Sequence, residues 1–149
     1  GGDQSQEFPS RPRKFPSRRG EIAACRRHQG GFRRPDGQII QDQVEEMHLY
    51  LKEQLPLDDI YVCWHGQDGE CDCRKPLPGM FLQASDKYGV NFQQSYLIGD
   101  RWKDIEAGKT AGCKTIFLDY HYNELLRSQP DFTATSTRKA SEWIVSQNT

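Results

Sequence analysis

Ser95-Tyr96-Leu97-Ile98-Gly99-Asp100-Arg101-Trp102-Lys103-Asp104 is the stretch on which the fold turns. Its first half is a short apolar run bounded by polar and turn-forming residues, the pattern of a buried strand. A glycine and a carboxylate follow at once. Trp102 to Ala111 then predicts a helix, stopped by Gly112, a residue suited to a left-handed cap. Lys114 to Leu118 reads as the next strand and Phe132 to Thr135 as another. Thr137 to Val145 predicts a last helix with Ala140, Trp143 and Ile144 toward the core. Strands that alternate with helices call for a parallel sheet, so the class is α/β. In an open sheet of that kind ligands bind beyond the carboxyl ends of the strands, where Asp100 stands.

Upstream the same rhythm holds. Asp42 is placed to cap a helix in which Val44, Met47, Leu51 and Leu55 recur near helical spacing, with Pro56 ending it. Asp59 to Trp64 reads as a short buried strand. A loop rich in glycine and cysteine follows, and Gly79 to Tyr88 predicts a helix with Met80, Phe81 and Ala84 inward. His48 reads as a surface or boundary residue of the first helix.

Residues 1–34 are different. They carry nine Lys/Arg and three Asp/Glu, a net of +6, whereas the remaining residues carry eleven basic and eighteen acidic side chains, a net of −7. Apolar residues are isolated there and Pro9, Pro12 and Pro16 oppose a helix, so the segment buries too little surface to offset its ordering entropy. It is expected to be a disordered or aberrant basic segment, with 35–149 as the domain. An organelle transit peptide and a nucleic-acid contact are weaker readings of the same charge. No apolar run reaches the length of a membrane helix, and the expected location is the cytoplasm.

The loop Cys63-Trp64-His65-Gly66-Gln67-Asp68-Gly69-Glu70-Cys71-Asp72-Cys73 holds three of the five cysteines and one of the four histidines, four possible metal ligands within eleven residues. Zinc takes four tetrahedral sulfur and nitrogen ligands in closed structural sites. Alternate residues at a strand end point the same way, so Cys63 and His65 can converge, and Gly66 and Gly69 let the chain return with Cys71 and Cys73. A Cys63–Cys71 disulfide or free thiols are the alternatives. Cys25 and Cys113 stand alone, Cys113 as a small core residue.

Asp100 and Asp104 are four apart and can face one side of the helix start, which suits Mg²⁺ beside a phosphate. The alternative is a helix cap at Asp100 and a first-turn charge at Asp104. Arg74 and Lys75 can grip a phosphate, or be a solvated basic pair, and Pro76 and Pro78 stiffen their backbone. Asp119 and His121 end the third strand with no role evident.

Together, Cys63-x-His65, Cys71-x-Cys73-Arg74-Lys75-Pro76-x-Pro78-Gly79 and Gly99-Asp100-x-x-x-Asp104 resemble the haloacid-dehalogenase superfamily, in its branch of heptose-bisphosphate 7-phosphatases and histidinol-phosphatases. The resemblance runs from about Gly30 to Val145. It implies a Rossmann-like parallel sheet with a zinc-stapled loop at Cys63, His65, Cys71 and Cys73. It implies phosphate binding by Lys75, substrate contact by Arg74, and Mg²⁺ at Asp100 with Asp104 in support. The substrate implied is a small sugar-phosphate-type ester in carbohydrate metabolism, hydrolysed by a monomer without membrane or nucleic acid.

The family pattern also has an Asp-x-Asp-Gly at the end of its first strand, supplying the nucleophile and the general acid. This chain contains no Asp-x-Asp. The Thr/Ser-Asn end of a second strand is missing as well. In the family order 5-4-1-2-3 the gap falls at the sheet centre. Cys25-Arg26-Arg27-His28-Gln29 stands where that family has Val-Val-Thr-Asn, and a one-base shift of frame turns codons for the latter into Arg-Arg-His-Gln. Residues 1–29 are therefore expected to be a frameshifted translation, and the chain to hydrolyse little or nothing. A non-catalytic zinc-stabilised phosphate-binding or interaction module is the alternative.

Overall fold

The computed structural model describes residues 41–65 and 70–149, together with the backbone of a strand at Ala24–Arg26. The rest of the basic segment, the Gly66 and Gly69 turn and the start at Gly30 lie outside the described residues. The elements run β1 (Ala24–Arg26), α1 (Gln41–Gln54), β2 (Ile60–Val62), α2 (Gly79–Tyr88), β3 (Tyr96–Gly99), α3 (Trp102–Ala111), β4 (Lys114–Leu118), β5 (Phe132–Ala134) and α4 (Thr137–Gln147), with a 3₁₀ turn at Phe92–Gln94.

Among the described residues every strand pairing is parallel, as the alternation of elements requires. β3, β4 and β5 form one sheet in that order, and β1 and β2 form a second. Ile98 lies opposite Ile116, and Ile116 opposite Phe132. β2 covers Ile60–Val62, shorter at both ends than the predicted Asp59–Trp64, and the Asp59 carboxylate accepts the Ile60 amide (2.9 Å) at its start. β1 falls inside the segment whose composition predicts no regular structure. Ala24 pairs with Ile60 and Arg26 with Val62, so the edge of β2 that faces the break has a neighbour.

The core lies between β4, β5 and α4. Ile116, Leu118, Ala134 and Ala140 are buried, with Tyr96, Ile98, Phe132, Trp143 and Ile144 packed on them. Trp143 stacks on Phe132 (centroids 4.8 Å, planes 3° apart) and meets Tyr96 edge to face at 5.9 Å. These ring geometries each add about 1 kcal/mol to the area buried. On the other side α3 presses on β3 and β4 through Ile105, Ala107 and Gly108, all buried. A side chain at Gly108 would meet Thr115 Cγ2 at 2.7 Å, so the glycine sets how close helix and sheet come.

Two expectations change. Asp42 lies inside α1 and not at its cap, and the helix buries Val44 while Met47 and Leu55 stay exposed. The face turned inward runs through Val44, His48 and Leu51, so two of the predicted residues hold and half-buried His48 takes the place of Met47. In α2 the buried residues are Gly79, Met80 and Ala84, with Phe81 only partly covered.

Candidate functional site

β2 ends at Val62, and Cys63 and His65 follow it on alternate positions. Cys71 and Cys73 come back beneath them. The backbone there is held by Gly79, whose amide donates to Asp72 O (3.0 Å). A Cβ on Gly79 would lie 2.4 Å from that same oxygen, so only glycine lets α2 start against the loop. The Sγ atoms of Cys63 and Cys71 are 3.7 Å apart. His65 Nδ1 lies 3.7 Å from Cys63 Sγ and 3.1 Å from Cys73 Sγ. All four ligand atoms fall within 4.8 Å of one another.

Two sulfurs on one tetrahedral zinc at about 2.3 Å stand about 3.8 Å apart, and a sulfur and an imidazole nitrogen about 3.5 Å. The group therefore has the size and donor chemistry to hold such an ion. The cysteines are free thiols, which sets the disulfide alternative aside. Burial, and then the neighbouring Cys63 and Cys71, push the Cys73 thiol up to about 12. For Cys71 burial acts the same way, but the Arg74 amide and the adjacent thiols outweigh it and bring its pKa down. Three thiols this close resist ionising together unless a cation joins them.

Arg74 and Lys75 leave the loop in different directions. Arg74 Nη2 donates to His65 O at 2.9 Å. The Lys75–Pro76 peptide is cis. Lys75 Nζ pairs with Asp104 Oδ1, both side chains nearly buried at 11% and 9% exposure. The two residues are far apart in sequence, and α3 brings them together. Asp104 Oδ2 accepts the Arg101 amide (3.1 Å), closing the first turn of the helix. Both carboxylate oxygens of Asp104 are thus engaged, one by the Lys75 ammonium and one by the Arg101 amide, and each keeps a further lone pair. Arg101 occupies the cap position, so Asp100 is not a cap. Asp100 follows β3 directly and is half-buried at the carboxyl edge of the sheet. Gly99 permits this corner, since a Cβ there would meet Asp104 Cβ at 2.2 Å.

Sequence reasoning found Lys75 and Asp104 but not their contact, for which no local pattern exists. It also gave no role to the segment after β4. Asp119 Oδ1 accepts the His121 amide (2.8 Å) and lies 3.4 Å from its Nδ1, and His121 adopts φ 60°. Cys113, entering β4, has its thiol raised to about 11 by burial, in keeping with a small packed side chain. Cys25 lies in β1, where only the backbone is described.

Residues 72–139 match the HAD-hydrolase-like family model. The chain is similar to the D-glycero-beta-D-manno-heptose-1,7-bisphosphate 7-phosphatase of Haemophilus ducreyi, at 38% identity over 69% of this chain and 57% of the relative. The Escherichia coli protein of the same name is 31% identical over 79% of this chain and 63% of its own length. Among solved structures, the D,D-heptose 1,7-bisphosphate phosphatase of B. bronchiseptica, complexed with magnesium and phosphate, superposes with a TM-score of 0.57 at 24% identity. It is covered over 73% of this chain and 64% of that one. A HAD phosphatase from Thermococcus onnurineus gives 0.52 at 17% identity, covering 68% of this chain and 46% of its own, a likeness of fold. The chain spans between two-fifths and two-thirds of the length of the curated relatives it matches. Among the described residues, no helix is long and apolar enough to cross a membrane.

Proposed function

Because the chain belongs to the haloacid-dehalogenase superfamily, on the branch of the heptose bisphosphate phosphatases, we propose that it carries the phosphate-binding half of a phosphomonoesterase site for a sugar phosphate. The observation that supports this most is the nearly buried Lys75–Asp104 pair beside Asp100 at the carboxyl edge of the sheet. An ammonium held this way is a fixed positive point at which a phosphoryl oxygen can settle, and its position costs nothing further when the ester binds. Arg74, anchored on His65 O, offers a second cation toward the rest of the substrate. Asp100 is the carboxylate that would hold Mg²⁺, with phosphate oxygens and water completing its shell. Bound there, the ion would neutralise phosphoryl charge. Zinc on Cys63, His65, Cys71 and Cys73 would be structural, since four protein ligands leave no open position.

Nucleophilic displacement needs a carboxylate in line with the phosphorus, and the chain has no Asp-x-Asp pair to supply it. The 149 residues are therefore expected to bind a sugar phosphate with Mg²⁺ and to turn it over negligibly. Calorimetric titration with mannose 6-phosphate and a phosphate-release assay on the same sample test this. Magnesium-dependent binding without release is the expected result. Release at a rate near that of the Haemophilus ducreyi relative would sink the expectation of inactivity, and no binding would sink the site itself.

A further inference from the structure

Thirteen residues, Asp119 to Asp131, connect β4 to β5 with no helix or strand. Connections of this length without secondary structure are uncommon and are usually either functional or disordered. This one is tied down on α3, which sets it apart from a disordered one. Arg101 pairs with Glu124 at 2.6 Å and its guanidinium lies 5.3 Å from the centre of the Tyr122 ring. The Arg127 guanidinium stacks on Trp102 at 3.6 Å. Ser128 Oγ donates to Glu106. The anchor points are the residues next to Asp100 and the first turns of the helix that carries Asp104.

The tip nevertheless leaves polar aromatics in the open. Tyr120 and Tyr122 are about half exposed, with ring centres 6.1 Å apart and planes at 62°. His121, 84% exposed, is held between them by the two contacts to Asp119. Gly99 of β3 lies opposite Phe117 of β4, so Asp100 and the start of this loop leave the same sheet edge one strand spacing apart, about 4.8 Å. Ring faces flanked by hydroxyl, imidazole and carboxylate suit the alternating C–H and hydroxyl surface of a polyol, and offer little to a bare phosphate.

We propose that Tyr120, His121 and Tyr122 form the subsite for the polyhydroxylated, non-transferred part of the phosphate ester, set by Asp119 and by the clamp on Arg101 and Trp102. This rests on the reading of Lys75 and Asp100 as the phosphate site. The subsite gives the chain a preference for sugar phosphates over inorganic phosphate.

The experiment is a titration of the full chain with Mg²⁺ in excess, first with inorganic phosphate and then with mannose 6-phosphate, with amide and imidazole NMR shifts followed in both. The sugar phosphate is expected to bind about tenfold tighter, the worth of one or two good polar or ring contacts. It should shift His121 and Tyr122, which inorganic phosphate leaves in place. His121→Ala with Tyr122→Ala should bring the two affinities within about twofold of each other while phosphate affinity holds, and Tyr122→Phe should keep most of the preference. Equal affinities in the parent chain, or a preference the double variant retains, overturn the subsite. Failure of inorganic phosphate to bind at all overturns the phosphate site beneath it, and a double variant that loses phosphate binding too shows the loop to be scaffold.

Discussion

At the scale of single residues, the site depends on atoms that are missing as much as on those present. Gly99 is needed because Asp104 occupies the space its side chain would take, at 2.2 Å. Gly89, at φ 65°, needs no space, since nothing lies within 4 Å of its Cβ position, and is chosen for its backbone angle. The two substitutions to alanine should therefore behave differently. Gly99→Ala is expected to cost about 2–3 kcal/mol, the range for overpacking a tight contact, and to weaken phosphate binding by moving Asp104 off Lys75. Gly89→Ala should cost about 1 kcal/mol, the left-handed penalty, with phosphate affinity unchanged. Urea unfolding and phosphate titration on both variants check this, and equal losses of affinity would refute it.

Between elements, Asp59 does for β2 what Asp104 does for α3. One carboxylate receives Lys52 of α1 (3.1 Å), Lys87 of α2 (2.7 Å) and the Tyr88 hydroxyl (3.0 Å), besides the Ile60 amide. Burial works to raise its pKa. The two ammonium groups, the amide and the hydroxyl outweigh burial and hold the carboxyl well below the usual range. A depressed folded pKa gives stability that is complete above the unfolded value, about 3.9, and is lost as pH falls through the folded one. Asp59→Asn should lower stability at neutral pH, and the gap between variant and parent should close in acid, below about pH 4. Melting temperatures from pH 7 to pH 2 would show it, and a gap that is constant with pH would not fit. These elements were largely legible. α2, α3 and β4 follow local signals at their ends: Gly79 and Gly112 are true boundaries, and apolar runs mark the strands. The inner stripe of α1 was misread because Val44, Met47 and Leu51 fit helical spacing equally well, and only what lies against the helix selects Val44 and His48.

At the scale of the molecule, the described strands form two parallel sheets, β1 with β2 and β3 with β4 and β5. The proposed zinc loop belongs to the first and Asp104 to the second, with Lys75 reaching from one to the other. Among the described residues of the loop, Cys73 is the buried apolar side chain, so the loop's order should come from the ion, and metal binding is then folding free energy. Purified chain is expected to hold one zinc. Chelation, or Cys73→Ser, should lower the melting temperature by about 5 °C or more, about 2 kcal/mol for a chain of this size, and loosen phosphate binding with it. A melt indifferent to chelation would refute the zinc reading.

The cysteines and histidine, the order of strands and helices from α1 onward, the α/β class and the absence of an Asp-x-Asp are all matters of sequence, because each depends on residue type and short spacing. Convergence is not. That Lys75 pairs with Asp104 across 29 residues, and that the loop opening at Asp119 leaves the same sheet edge as Asp100, were decided only by how α3, β3 and β4 pack together. Contacts between distant residues are set by how helices and strands fit together in three dimensions, and no local pattern encodes that fit.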